Sequence, residues 1–310
     1  QHLLVRMNGS AIDIGSGALQ VAGQGGSVGR SPRLEGNKVR IQALGFCRFS
    51  VLVTEGFQKM PDALEERRAA LYEPARLSQR LTWFEHVFLP GLRAQTDPDF
   101  TMIVATGEDL PDPWRSRLVA LTATVPQISL VFVGPCRYSA VAQETIAAHI
   151  DPAADVIAQF RQDDDDAVSV DFVRRLRRDF NTRLRGLYDV QLKLMLDYAR
   201  GFMLSATNGA LSLYPVTAQS WALAQVLYLP PDSAESMMTF HHKNIFRHMT
   251  TVSLVDRPMY IRGVHDWNDS GVRDYKHPKA VEPERAAEWV SHRFNVDLDA
   301  LGHALRVRSA

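Results

Sequence analysis

Four consecutive aspartates, Asp163-Asp164-Asp165-Asp166, begin two residues after the apolar stretch 156–160. Buried together without a partner, four carboxylates would repel one another strongly. Either water solvates them or a cation neutralises them. Carboxylates at i and i+2 of an extended segment project to one side. Two carboxylates so spaced can grip a hard divalent ion that keeps water and phosphate ligands. Mg²⁺ and Mn²⁺ both take oxygen donors of this kind. A solvated acidic turn would need no apolar strand delivering it, and Ala167-Val168 turn back towards the core at once. The pattern favours a metal site. An Asp-rich prenyl-diphosphate site belongs on helices of an all-α fold, and the strand signals here argue against it.

The elements that must position this run alternate. Short β-prone segments at 46–53, 100–105, 128–133 and 156–160 are separated by helical patterns from about 75, at 114–121 and at 140–150. The spacing of Leu77, Leu81, Phe84 and Phe88 predicts an amphipathic helix that Pro90-Gly91 kinks or ends. Such alternation implies an α/β fold with a largely parallel sheet and helices on both faces. Ligands of these sheets bind beyond the carboxyl ends of the strands, where the aspartate run begins. Further on, 169–187 reads as an amphipathic helix. Short strands follow at 202–204, 211–214, 222–229 and 259–264, with helices at 240–249 and 284–294. Residues 1–40, rich in Gly and Ser, read as a flexible segment that offers little apolar area to offset its ordering. Residues 41–275 form the main domain and 276–310 a helical tail.

Bulk properties exclude several classes. The 35 basic and 35 acidic residues cancel, so nothing global attracts nucleic acid or an anionic membrane. Two cysteines without a C-x-x-C fit a reduced, cytoplasmic setting. No stretch approaches the ~18 apolar residues that span a bilayer, so any membrane contact is peripheral. The arginines at 174, 175, 177 and 178, with Arg183 and Arg185, read as the polar face of an amphipathic helix. The sharper alternative is contact with an anionic lipid-linked acceptor. His241, His242 and His248 have no carboxylate or cysteine at ligand spacing and read as ordinary core or surface histidines.

Several scattered motifs carry a resemblance. They are Gly45-Phe46-Cys47-Arg48-Phe49-Ser50 with Gly56-Phe57-Gln58, then Arg76-Leu77 with Arg80, Phe84 and Glu85. Leu89-Pro90, Gln95-Thr96-Asp97 and Leu110-Pro111 come next. Phe160-Arg161-x-Asp163-x-Asp165-Asp166 and His265-Asp266-x-Asn268-x-Ser270 complete the set. Together, over about 43–275, they resemble the bacterial putative rhamnosyltransferase family. The resemblance implies a GT-A-like fold, a nucleotide-sugar donor, a divalent metal (Mn²⁺ or Mg²⁺) and a glycan or lipid-linked acceptor.

It also implies roles. Asp163 and Asp165 become the DxD pair that holds the metal, and Asp166 supports the donor or the metal shell. Asp164 is the variable position, expected to tolerate substitution. His265 becomes a third ligand or diphosphate contact, with Asn268 and Ser270 as hydrogen-bonding groups for donor phosphates. Arg48 and Phe49 near the end of the first strand, Arg161, and Glu108-Asp109 after the second strand join the donor-binding set. Arg76 and Arg80, one turn apart, read slightly better as a solvated face than as an anion grip. An inverting transfer needs a base, for which Asp266, Asp269, Asp232 and Glu235 are all candidates. Two other functions compete: a non-catalytic nucleotide- or sugar-binding module, and a metal-dependent phosphohydrolase. The intact Asp-x-Asp favours an enzyme over the module, and the lack of further Asp or His ligands in the strand ending at Val53 argues against the hydrolase.

Overall fold

The computed structural model describes residues 3–7, 10–14, 39–54, 63–135, 137–207, 210–267 and 279–309. Two sheets organise them. The strands of the larger are β1 (Leu3–Met7), β2 (Ser10–Ile14), β3 (Ile41–Phe49), β4 (Thr101–Gly107), β5 (Ile128–Val133), β6 (Val156–Arg161), β8 (Leu194–Tyr198), β11 (Gln225–Leu229) and β12 (Thr251–Leu254). The smaller contains β7 (Ala167–Val168), β9 (Arg200–Thr207), β10 (Ala210–Thr217) and β13 (Tyr260–Val264).

The larger sheet runs β2-β1-β12-β8-β11-β6-β3-β4-β5. β3, β4, β5 and β6 are mutually parallel. β11 runs antiparallel to both β6 and β8, and β12 is parallel to β8. The seven central strands thus share one direction except β11, which is the mostly parallel α/β sheet expected from the sequence. The hairpin β1-β2, within the stretch read as flexible, pairs with β12 at one edge; residues 15–38 lie outside the described residues. In the smaller sheet, of order β10-β9-β13-β7, β13 is parallel to β9 and antiparallel to β7.

Nine helices are described: α1 (Leu64–Leu71), α2 (Pro74–Trp83), α3 (Leu89–Arg93), α4 (Trp114–Thr122), α5 (Tyr138–Ala147), α6 (Phe172–Asp179), α7 (Arg185–Gln191), α8 (Pro283–Phe294) and α9 (Leu298–Ser309). A π-helical turn at Phe84–Phe88 joins α2 to α3, so the helix continues through Pro90 to Arg93. Another at Phe180–Leu184 joins α6 to α7. The 240–249 helix is a short 3₁₀ turn at His242–Arg247.

The main core lies between the larger sheet and α2 and α6. Leu77, Leu81, Phe84 and Phe88 are buried there with Phe160, Phe172 and Tyr198, and Phe160 meets Phe172 edge-on at 5.0 Å. A second core joins the smaller sheet to α8, through Phe202, Ile261, Val290 and Phe294. The C-terminal helices are therefore part of the packing of that sheet. Burying side chains of this size stabilises each position by roughly 1.5–3 kcal/mol.

Candidate active site at the junction of the two sheets

The aspartate run connects the sheets: β6 ends at Arg161 in the larger and β7 begins at Ala167 in the smaller. Both ends are fixed by pairing. Gln162 N–H donates to Phe46 O at 3.1 Å, and Ala167 stands opposite Ile261 on β13. The antiparallel β7–β13 pair brings residues about a hundred positions later, Gly263 to His265, alongside Asp165 and Asp166.

The four carboxylates have four different settings. Asp163 is exposed. Asp164 is buried and accepts from Arg80 Nη2 at 2.6 Å. Burial pushes its carboxyl up to about 7 in spite of that arginine, with Asp165 and Asp163 adding to the rise. Asp165, 8% exposed, lies 3.1 Å from His265 Nε2. Burial raises it, but the hydrogen bond and charge of His265, with Arg80, outweigh burial and hold it below the usual carboxylate range. Asp166 accepts from Gly263 N–H at 3.1 Å. Burial, then the neighbouring Asp165 and Asp163, push it well up.

His265 is itself oriented. Its Nδ1 accepts from Trp267 N–H at 3.3 Å, and Trp83 lies against its ring at 5.0 Å. Its Nε2 lies 3.1 Å from Asp165 Oδ2. The ring thereby stands directly against the Asp165 carboxylate.

Gly263 makes the close approach feasible. A Cβ there would stand 2.3 Å from Asp165 O and 3.0 Å from the Trp83 ring. Gly263→Ala is therefore expected to destabilise the protein by ~1–3 kcal/mol. Thermal melting checks it against Gly186→Ala, on α7, where a Cβ meets nothing within 4 Å and a gain is expected. Equal melting of the two variants would contradict the packing argument.

Several expectations change on contact with the structure. Arg76 and Arg80 are buried, at 4% and 7% exposure, so the solvated-face reading is corrected. Arg76 donates to Leu71 O at 2.9 Å and Ser50 Oγ at 3.3 Å. Asp164, expected to tolerate change, is the partner of Arg80 in a buried pair; removing one member of such a pair is strongly destabilising. Phe49 is fully buried among core residues, edge-on to Phe84 at 5.6 Å, and the Arg80 guanidinium sits 5.9 Å over its ring. It supports the site from behind. Asp109 is taken up by Arg68 and Tyr72. Arg48 and Arg161 are part-buried near the ends of β3 and β6, close to the run. Asp266 is exposed beside His265. Asn268, Ser270 and Asp269 lie outside the described residues.

The basic helix is largely neutralised internally. Arg175 is buried against Asp179 and Asp256. Arg177 pairs with Asp97 and Asp99, and Arg178 with Asp179. The polar-face reading is corrected for Arg175. Among the described residues no helix is long and apolar enough to cross a membrane.

Sequence reasoning weighed Arg80 as an anion grip but not as the buried partner of Asp164, 84 positions away. It passed over Trp221, which lies beside Arg262, because a lone tryptophan at the start of the apolar stretch 221–224 reads as part of a strand.

The family described as Putative rhamnosyl transferase matches residues 42–277. Comparison with curated proteins gives no match. Among solved structures, S. aureus TarS 1-349 in complex with UDP aligns with a TM-score of 0.38 at 10% identity, covering 72% of this chain and 60% of that one. The same protein with UDP-GlcNAc gives 0.39 at 8% identity, covering 74% and 60%. A putative nucleotide-diphospho-sugar transferase from Desulfovibrio desulfuricans G20 gives 0.29 at 9%, covering 74% and 83%. The chain spans about 60% of the length of the TarS 1-349 chains it matches. With three quarters of its length matched to one family, and an α/β sheet of the expected kind, this chain belongs to the Putative rhamnosyl transferase family of glycosyltransferases.

Proposed function

We propose that the chain transfers a hexosyl or deoxyhexosyl group from a nucleotide-sugar donor to a glycan or lipid-linked acceptor, with Asp163 and Asp165 holding Mn²⁺ or Mg²⁺. The observation that carries this reading is the division of labour in the run. Asp164 and Asp166 are consumed by Arg80 and Gly263, whereas Asp163 is exposed and Asp165 is held anionic beside it.

The donor set suits a hard cation. Among the described residues no three His, Cys, Asp or Glu side chains gather where they could hold a metal ion. Mg²⁺ and comparable ions are commonly held by one or two carboxylates, with water and substrate phosphates completing the shell. Such an ion would supply Lewis-acid stabilisation of the departing diphosphate. The protein's own contribution is to hold Asp165 beside His265, to leave Asp163 exposed, and to lock the turn through Asp166 and Gly263. In an inverting transfer Asp266, exposed next to His265, would accept the proton as the acceptor oxygen bonds to the anomeric carbon and the diphosphate departs. Arg48 and Arg161, near the ends of β3 and β6, would meet the donor's phosphates or base. The family description makes rhamnose the first sugar to test.

Thermal shift with UDP, GDP, dTDP and CDP, each with and without Mn²⁺, tests the reading. One nucleotide is expected to raise the melting temperature only with metal. Occupancy at a hundred times Kd is worth about 2.7 kcal/mol, or roughly 5–10 °C for a chain of this size. No shift with any nucleotide in the presence of Mn²⁺ would overturn it.

A further inference from the structure

The loop between β10 and β11 holds three left-handed residues that are not glycine. Ser220, Ala222 and Ala224 have φ of 61°, 68° and 57°. Each such residue costs on the order of 1 kcal/mol or more, and such outliers cluster at ligand clamps. Surrounding groups hold the loop there. Ser220 N–H donates to Asp197 Oδ2 at 3.1 Å, and Ser220 O faces His242 Nδ1 at 2.6 Å. Leu223 bridges to Arg161. Because β11 is antiparallel to β6, with Val226 opposite Phe160, the loop rises beside the strand end that delivers the aspartates.

Trp221 stands at the centre of this loop, part-exposed. The Arg262 guanidinium lies 4.9 Å from the centre of its ring, and the Tyr260 ring is 6.3 Å away. Arg262 immediately precedes Gly263, which Asp166 clamps. An indole and a guanidinium therefore stand together one residue from the acidic corner, on a platform whose shape is fixed before any ligand arrives.

We propose that Trp221 and Arg262 form the acceptor subsite and take an anionic saccharide, a pyranose bearing a carboxylate or phosphate. An indole buries the apolar C–H face of a sugar ring while leaving its hydroxyls wet. The guanidinium fork matches a carboxylate or phosphate. Arg262 also offsets the repulsion that Asp163 to Asp166 exert on an anionic acceptor. A preformed platform loses little entropy on binding. Calling this the acceptor side rests on the proposed transfer reaction; the binding itself does not.

The test is titration of the ¹⁵N-labelled tryptophan side chains by NMR. The chain has five tryptophans, and the Trp221 resonance is assigned by its loss in Trp221→Phe. The probes are methyl glucoside, methyl glucuronide and glucose 6-phosphate, which share a ring and differ in charge, with inorganic phosphate as control. The Trp221 resonance is expected to move with the charged sugars at ~10-fold lower concentration than with methyl glucoside, and Arg262→Gln is expected to abolish that preference. Preference for the glucuronide or for the phosphate identifies which anionic group is read. Unchanged resonances of the other tryptophans in Arg262→Gln establish that it folds. A Trp221 resonance unmoved by all three sugars, or moved equally by inorganic phosphate alone, overturns the proposal. Neither outcome depends on turnover, so the nucleotide thermal shifts judge the transfer reaction separately.

Discussion

Asp165→Asn is expected to lower sugar transfer by ~10³-fold or more, because metal stabilisation of a departing diphosphate is worth several kcal/mol. The amide keeps the shape of the side chain and a carbonyl oxygen for His265, but supplies no charge to a cation. Asp165 is suited to that charge. His265 and Arg80 together outweigh the burial that raises it, so the carboxylate stays ionised to lower pH than an ordinary carboxyl. Its folded-state value being lowered, it also contributes stability above that range, which is lost on acidification. Asn forgoes this contribution, and the melting temperature is expected to fall by no more than ~5 °C. Two measurements separate the effects: Mn²⁺ binding by isothermal titration in the presence of the stabilising nucleotide, and turnover at saturating metal. Loss of both with a cooperative melt is the expected result. Full turnover in Asp165→Asn would remove Asp165 from the metal site. His265→Gln, which can still donate a hydrogen bond, is expected to fall between wild type and Asp165→Asn.

The acidic run was legible because its chemistry is local: four like charges after an apolar strand need an explanation that four residues can give. The parallel sheet was legible for the same reason, since strands and helices alternate at short range between Ile41 and Arg161. The assignments of roles within the run were not legible. Which aspartate stays exposed depends on Arg80, 84 positions away in sequence from Asp164, and on Gly263, 97 away from Asp166. β8 and β12 were missed too: short apolar runs of this kind are ambiguous until neighbouring strands bury both faces. Several residues that carried the family resemblance turn out to act on the frame. Gln95 donates to Ser169 O at 2.8 Å and accepts from Val173 N–H at 3.0 Å, fastening the end of β7 to the start of α6. Asp97 holds Arg177. A motif therefore marked what the fold needs near the site as well as what the chemistry needs in it.

The second large effect lies away from the acidic run. Asp179→Ala is expected to destabilise the protein by ~3–5 kcal/mol, the cost of breaking a buried ion pair. Asp179 is fully buried and collects the Tyr198 hydroxyl at 2.9 Å, Arg178 at 2.8 Å and Arg175 at 3.4 Å. Truncating it leaves a buried hydroxyl and weakens the hold on Arg175, itself 1% exposed. Arg175 would keep Asp256, at 2.8 Å. Asp256 leads into Arg257 and then β13, the strand that carries Gly263 and His265 to the aspartates. Loosening Asp179 should therefore relax the register of the site as well as the core beneath it. At 2–4 °C per kcal/mol the melting temperature should drop by roughly 10 °C. Arg178→Ala, removing a half-exposed partner of the same carboxylate, should cost under about 1 kcal/mol. Asp179→Ala with Tyr198→Phe should recover part of the loss, because the double variant no longer buries an unsatisfied hydroxyl. If Asp179→Ala melts with the wild type, the network is not what anchors β13. The orientation of His265 would then have to come from Trp83 and the β7 pairing alone.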